Sequence, residues 1–413
     1  MSVSAYFSQA KNVKRLREGP LGDCIDLYAS RLVREGYGRP TGWRCLRLIA
    51  DLSRWLGAHR LGMSDLGEEL VARYLADRAG HRRPQKGDRP TLVKLLAVLR
   101  QADAIAPPVP TELTASERLF SGFARYLARE RGLVRVTIIH HWPVVRLFLQ
   151  ETGVRTVGDF AGIDQAAIVA FVERHARDHS PAAAKGMCWS LRAFLRYVRL
   201  QGWISLDLAT SVPTVRRWRQ TSLPTYLSAE QVQQVLDGCD RQSVLGRRDF
   251  AILMLLARLG LRAKEVATLM LDDLDWRSGQ LLVNGKGRQR TQMPLPPDVG
   301  AAIADYLRDG RPRSESRRVF LRKEAPHVGF ATSGSVFVIA NTALRRAGIA
   351  GFAHMGAHLF RHSLATELLR SGASLTEIGQ LLRHRDPDTT RVYAKVDFNA
   401  LRGVTAPWPG GVQ

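Results

Sequence analysis

The sequence predicts a mainly α-helical, multi-domain protein with one small antiparallel β-sheet in its last third. Three observations carry this expectation. Apolar residues recur at three- and four-residue spacing through most of the chain. Proline-rich breaks divide those runs into blocks. One stretch near residue 285 reads as two strands around a glycine turn. At 413 residues the chain exceeds one ordinary core, so two or three domains are expected.

The first two blocks, residues 1–105 and 114–204, are both helical, and Pro107-Pro108-Val109-Pro110 separates them because it cannot continue a helix. An internal repeat relates the two. Val71-Ala72-Arg73-Tyr74-Leu75-Ala76-Asp77-Arg78 is echoed by Ile168-Val169-Ala170-Phe171-Val172-Glu173-Arg174-His175. Leu95-Leu96-Ala97-Val98-Leu99-Arg100 is echoed by Leu191-Arg192-Ala193-Phe194-Leu195-Arg196. Residues 28–36 have a looser partner in 123–132, at nearly the same offset. Repeats of this size argue for two copies of one small helical unit. Helices are expected over 116–129, 136–151, 164–178 and 182–200, with Pro143 kinking or shortening the second. A proline-punctuated basic linker, 205–224, follows with Arg216, Arg217, Trp218 and Arg219. It reads either as a strand that crosses a phosphate backbone or as a solvated spacer.

The pattern changes in the third block, 225–397, which a tail of 398–413 follows. Ser228-Ala229-Glu230-Gln231 opens a capped helix. Residues 250–259 form an almost wholly apolar core helix that Gly260 stops. Gln280-Leu281-Leu282-Val283, the turn Gly285-Lys286-Gly287 and Arg290-Thr291-Gln292-Met293 make a hairpin, to which Arg318-Val319-Phe320-Leu321 is expected to add a third strand. The remainder is helical. Ser374-Leu375-Thr376-Glu377 is a capping box opening a helix that ends near His384.

A formal charge of +23 is far from neutral, and such self-repulsion suits a polyanionic partner better than a merely solvated surface. An anionic membrane fits less well, because the arginines recur in every segment instead of forming one amphipathic tail. No run approaches 18 apolar residues, and the N-terminus lacks a signal-like apolar stretch. Cys24, Cys45, Cys188 and Cys239 stand far apart without ligand spacing, so neither zinc nor a disulfide framework is expected. A reduced, cytoplasmic protein is expected.

Six scattered residues in the last block carry the chemistry. Arg262 lies in Gly260-Leu261-Arg262-Ala263-Lys264-Glu265, and Lys286 sits on the hairpin tip. His358 and Arg361 share His358-Leu359-Phe360-Arg361-His362, and His384 and Tyr393 close the run 382–393. Guanidinium forks, an ammonium and imidazoles suit a pentavalent phosphorane, whose negative charge is spread over several oxygens. Glu265, one turn beyond Arg262, is placed to orient that guanidinium. A lysine near a leaving alkoxide can donate its proton. Tyr393 is the one residue of the set able to attack phosphorus, and its phenol needs neighbouring cations to do so. His358 and His362 raise a zinc reading, but Leu359 stands where a metalloprotease helix has glutamate, so no metal is expected. The set reads as a phosphodiester transesterification site that needs no metal or other cofactor.

These residues resemble the tyrosine recombinase (phage integrase) family over roughly 225–397. The family pattern of Arg, Lys, His-x-x-Arg, His or Trp, then Tyr nine residues later is matched by Arg262, Lys286, His358, Arg361, His384 and Tyr393. The run Leu-Phe-Arg-His-Ser-Leu-Ala-Thr-Glu-Leu-Leu at 359–369 is also characteristic. Residues 114–204 resemble the family's helical core-binding domain, and 1–105 would be a second such unit. The resemblance implies a basic multi-domain DNA clamp that cuts and rejoins double-stranded DNA through a 3′-phosphotyrosyl intermediate. It also implies a homotetramer on DNA and nucleoid association, while the extra N-terminal unit leans towards a mobile-element recombinase working with companion recombinases. Arg216, Arg217, Arg219, Arg288 and Arg383 are the expected DNA-backbone contacts. Two departures stand out: Arg383 replaces a usual glycine, and Glu367 replaces a frequent histidine. A type IB topoisomerase-like relaxing enzyme and a catalytically silent DNA-binding regulator are the alternatives.

Overall fold

The structure is a computed structural model that describes residues 3–108, 113–215, 224–285, 289–352 and 354–396. Lys286 and Arg288 on the hairpin tip, Arg216, Arg217 and Arg219 in the linker, and the tail 398–413 lie outside the described residues. The chain divides into two compact units, residues 109–221 in one and 1–108 with 222–413 in the other.

Residues up to 105 form a core of their own. It is built by α1 (Ala10–Leu16), α2 (Ile25–Arg34), α3 (Arg39–Ala58), α4 (Glu68–His81) and α5 (Asp88–Gln101). Ile25, Tyr28 and Leu32 of α2 meet Leu46, Ile49 and Leu56 of α3 and Leu92, Leu95 and Leu99 of α5, all out of contact with water. Tyr28 keeps its hydroxyl satisfied inside this apolar set by donating to the Thr91 carbonyl.

The unit 109–221 contains α6 (Ala115–Arg129), α7 (Arg135–Glu151), α8 (Gln165–Ala176) and α9 (Pro181–Leu200). Its packing matches that of α2 to α5 helix for helix. α2 packs on α3 and α5, and α5 on α3 and α4; likewise α6 packs on α7 and α9, and α9 on α7 and α8. The fillings differ, since Phe123, Phe148, Phe171 and Phe194 dominate the second core. α7 runs unbroken through Pro143, contrary to a shortened helix. Buried Val145 and Phe148 beyond the proline keep the helix docked.

The C-terminal part has α10 (Ala229–Asp237), α11 (Val244–Leu259) and α12 (Ala263–Thr268), then β1 (Leu274–Asp275), β2 (Gln280–Asn284) and β3 (Arg290–Pro294). α13 (Pro297–Asp309), α14 (Gly334–Arg346), α15 (Ala357–Arg370) and α16 (Leu375–Leu381) complete it, with single 3-10 turns at Pro387–Thr389 and Arg391–Val396. α11 is the central element: every residue from Ala251 to Leu256 is buried, and it packs on α13 and α15. The sheet is antiparallel in the order β1-β2-β3, with Leu281 opposite Met293 in the hairpin.

The third strand is β1 and not residues 318–321, which make only isolated bridges at Met270–Arg318 and Leu321–Gly329. The reason lies in where their carbonyls go. Arg311 donates to the carbonyls of Arg318 and Val319, occupying acceptors that a ladder would need. Val319, Phe320 and Leu321 instead fill the core as a connector. Among the described residues no helix is long and apolar enough to cross a membrane.

Candidate active site

The site forms where α11 stops. Gly260 caps that helix in the left-handed region at φ 56°, and a Cβ there would lie 2.7 Å from the Leu382 side chain. Only glycine turns the chain so tightly without strain. The turn delivers Arg262 to the N-terminus of α12. There Glu265 accepts hydrogen bonds from the Arg262 backbone N–H and guanidinium, each 2.9 Å. Arg262 stays partly open to solvent, whereas Glu265 is buried.

Arg361 comes from α15 and is buried. Its guanidinium donates to the carbonyls of Gly260 and Leu382, so it ties the ends of α11 and α16 together. A guanidinium has five donors, and these bonds leave part of the fork free. Burial first, then the charges of Arg262 and Arg383, lower its pKa to about 10, which leaves it charged at neutral pH.

Tyr393 lies in the 3-10 turn Arg391–Val396, not on an α-helix, and its side chain is fully buried. Its hydroxyl is 2.9 Å from Nδ1 of His362. The His384 ring lies parallel to the phenol at a centroid distance of 6.5 Å. Burial pushes the Tyr393 phenol up to about 12, while Arg361 and Arg262 pull it back. Thr390 holds His384 through a 2.7 Å bond to Nδ1. His362 and His384 are both pushed down to about 4, by burial first and then by neighbouring histidine and arginine charges. Both rings are therefore neutral at pH 7. His358 opens to solvent at the start of α15, yet the protein packed around its ring, with Arg361 and Arg262, still holds it below the ordinary histidine value.

Arg383 departs from its expected place on a DNA backbone. Its side chain is only 8% exposed and pairs with Glu265 at 2.8 Å, which makes the contact internal. The backbone explains the inward turn. Arg383 follows the last turn of α16 with φ 56°, and the next N–H, of His384, bonds back to the Gly379 carbonyl. This is the left-handed helix ending that favours glycine. Glu265 thus sits between two guanidiniums. Burial works to raise its pKa, but Arg383 and Arg262 outweigh burial and hold it below the usual range. Glu367 faces solvent on α15 and makes no ion pair with this cluster.

The structure therefore brings together Arg262, Glu265, Arg361, His384, Arg383 and Tyr393, with His358 at the open edge. It adds His362, which the sequence offered only as a metal ligand. The signal was present in the four-residue spacing from His358, but the bond to Tyr393 spans 31 residues and depends on tertiary folding. Among the described residues no group of three or more His, Cys, Asp or Glu side chains is placed to hold a metal ion.

Residues 225–400 match the sequence profile of the phage integrase family. The chain is 42% identical over 411 residues to the putative integrase/recombinase y4rA of Sinorhizobium fredii, covering 99% of this chain and 100% of that protein. It is 31% identical over 290 residues to tyrosine recombinase XerD of Lacticaseibacillus casei, covering 69% of this chain and 96% of that one. Among solved structures, the XerH site-specific recombinase in its post-cleavage complex with palindromic difH substrate aligns with a TM-score of 0.52 at 17% identity. That alignment covers 72% of this chain and 97% of that one, and it speaks for a shared fold. With likeness to one relative along its whole length, and with that fold, the chain belongs to the phage integrase family, the tyrosine recombinases.

Proposed function

We propose that Tyr393 is the nucleophile of a site-specific recombinase acting on double-stranded DNA. Its phenol oxygen attacks the scissile phosphorus, a bond from tyrosine to the 3′-phosphate forms, and the bond to the 5′-oxygen breaks. The energy of the broken ester is kept in the phosphotyrosine, so a 5′-hydroxyl from a partner strand can reverse the step without ATP. Neutral His362 is placed to accept the phenol proton at Nδ1. Arg262 and Arg361 take the non-bridging oxygens, and His358 and His384 hydrogen-bond the same phosphate. Lys286 supplies the proton for the leaving 5′-oxygen. Clamps of this kind act by preorganised charge, and each arginine contributes roughly 3 kcal/mol to the transition state.

One observation carries the assignment: a fully buried phenol bonded to a neutral imidazole, under the field of two guanidiniums. A tyrosine with only a packing role has no need of that company. Strand exchange joins two duplexes, so the working form is a homotetramer on DNA, in the cytoplasm where the DNA is. The relative y4rA is named a putative integrase/recombinase, which supports a mobile-element setting; work beside companion recombinases is part of the same proposal and rests on the extra N-terminal unit.

The test is Tyr393→Phe on a nicked suicide substrate carrying the recombination site. The variant is expected to bind this DNA as the parent does and to yield no covalent protein–DNA adduct. A normal adduct with the variant would remove Tyr393 from the nucleophile's role. Supercoil relaxation with no joining of two sites would instead indicate an enzyme that acts alone.

A further inference from the structure

Residues 224–228, which lead the chain into α10, are fixed to α15, the helix that also bears His358, Arg361 and His362. Leu227 donates its backbone N–H to the Ser363 hydroxyl at 2.8 Å, a bond between residues 136 apart in the chain. The Tyr226 ring lies 4.9 Å from the Arg370 guanidinium, and its hydroxyl accepts from that group at 2.6 Å. Just downstream, Ser228 caps α10 in a box with Gln231, and α10 packs on α15 in turn. The Leu227 side chain is buried in the core that holds Leu359 and Phe360. The segment is therefore a strap, tied to α15 at Ser363 and again about two turns on at Arg370.

Ser363 suits the inner tie. It is 4% exposed, and a serine hydroxyl has one proton but two lone pairs. The proton goes to the Leu359 carbonyl one turn back, at 2.8 Å, which leaves a lone pair for the Leu227 N–H. An alanine would leave that N–H buried without a partner. Burial on this helix does not by itself bring such a bond: Thr366 is 1% exposed and its hydroxyl has no partner. The position of Ser363 matters as much. At about 100° per residue it stands on the side of α15 away from Arg361, with His362 between them. Arg361 holds its own side through the carbonyls of Gly260 and Leu382. Held from both sides, α15 cannot turn about its axis and carry the His362 ring away from the Tyr393 hydroxyl, 2.9 Å distant. Of the two ties, the one at Arg361 must also serve a phosphate. The one at Ser363 has no other task.

We propose that this strap positions the base for the nucleophile, with Ser363 as its anchor: by fixing the rotation of α15 it keeps His362 on Tyr393. The proposal rests on the recombinase reading above and deepens it. Ser363 touches no reacting atom, so it is a positioning residue. The rate of cleavage then depends on how residues 224–228 are seated, and not only on the groups that meet the phosphate.

The experiment uses the full chain and the nicked suicide substrate, with the rate of adduct formation at saturating DNA measured beside DNA affinity. Ser363→Ala is expected to slow the adduct about tenfold while affinity stays within about twofold of the parent. Ser363→Thr keeps the hydroxyl and should bring the rate back to within about threefold. Thr366→Val removes a buried hydroxyl of the same helix that holds nothing, and should cleave at about the parental rate. Arg370→Ala opens the exposed tie with little risk to folding, and should cost about threefold in rate. A parental rate in Arg370→Ala would overturn the proposal even where Ser363→Ala fails to fold. A parental rate in Ser363→Ala, a loss confined to affinity, no recovery with threonine, or an equal loss in Thr366→Val would each overturn it too, while leaving Tyr393 as the nucleophile. A parent protein that forms no adduct would instead sink the recombinase reading, whatever the strap does.

Discussion

Arg383 bears two burdens that a glycine in its place would not. Its left-handed backbone costs about 1 kcal/mol for a residue with a Cβ. Its guanidinium is also taken out of water, and its Nε finds no hydrogen-bond partner. The compensation is Glu265, which would otherwise spend its whole charge on Arg262. With Arg383 present, that carboxylate is shared, and Arg262 keeps more of its positive field for a phosphate. Arg383→Gly should therefore relax the backbone yet slow cleavage. We expect adduct formation on a saturating suicide substrate to fall about tenfold, roughly 1.4 kcal/mol in the barrier, with DNA affinity little changed. Arg383→Lys should recover part of the rate, because an ammonium can still neutralise Glu265. A glycine variant that cleaves at the parental rate would show that Arg262 does not depend on this sharing.

At the scale of elements, the site is held by helix ends more than by helix faces. Gly260 ends α11, its carbonyl holds Arg361, and the Leu382 carbonyl beyond α16 holds the same guanidinium. Gly260→Ala would place a Cβ 2.7 Å from Leu382 at a positive φ, so strain and overpacking add. A loss of about 2–4 kcal/mol is expected in denaturant unfolding. Cleavage should drop as well, because Arg361 loses its anchor; unchanged stability would mean that the turn tolerates a side chain. Such local grammar was legible in the sequence. The apolar run with its glycine stop, the capping boxes at Ser228 and Ser374, and the hairpin are patterns within a few residues. Partners chosen at long range were not. Residues 318–321 have strand-like composition, but Arg311 occupies their carbonyls, and the two-residue β1 has no pattern of its own. The pairing of His362 with Tyr393, and the inward turn of Arg383, likewise follow from which helix ends meet.

Across the whole molecule, charge and buried histidine pull stability in one direction with pH. The chain carries +23 before any histidine is protonated. His362 and His384 are held near 4, and His358 and His141 are also lowered, each chiefly by burial. In the unfolded chain these rings return to about 6.5. Between those values the unfolded state binds more protons, so unfolding becomes easier as pH falls from about 6.5 towards 4. The lowered carboxyl of Glu265 acts in the same sense at the acid end of that window, because its pairing with Arg383 and Arg262 is lost on protonation. Rising net charge adds self-repulsion on top. The denaturation midpoint should therefore decline steadily from pH 7 to pH 5. His141 offers a control distant in sequence from the reacting groups. It is fully buried against Phe123 and Trp189, and neither ring nitrogen has a hydrogen-bond partner. His141→Phe removes one titrating ring from an aromatic core, so its midpoint should fall less over the same interval than the parent's. A flat profile for the parent, or an identical slope in the variant, would show that these rings do not govern the acid response.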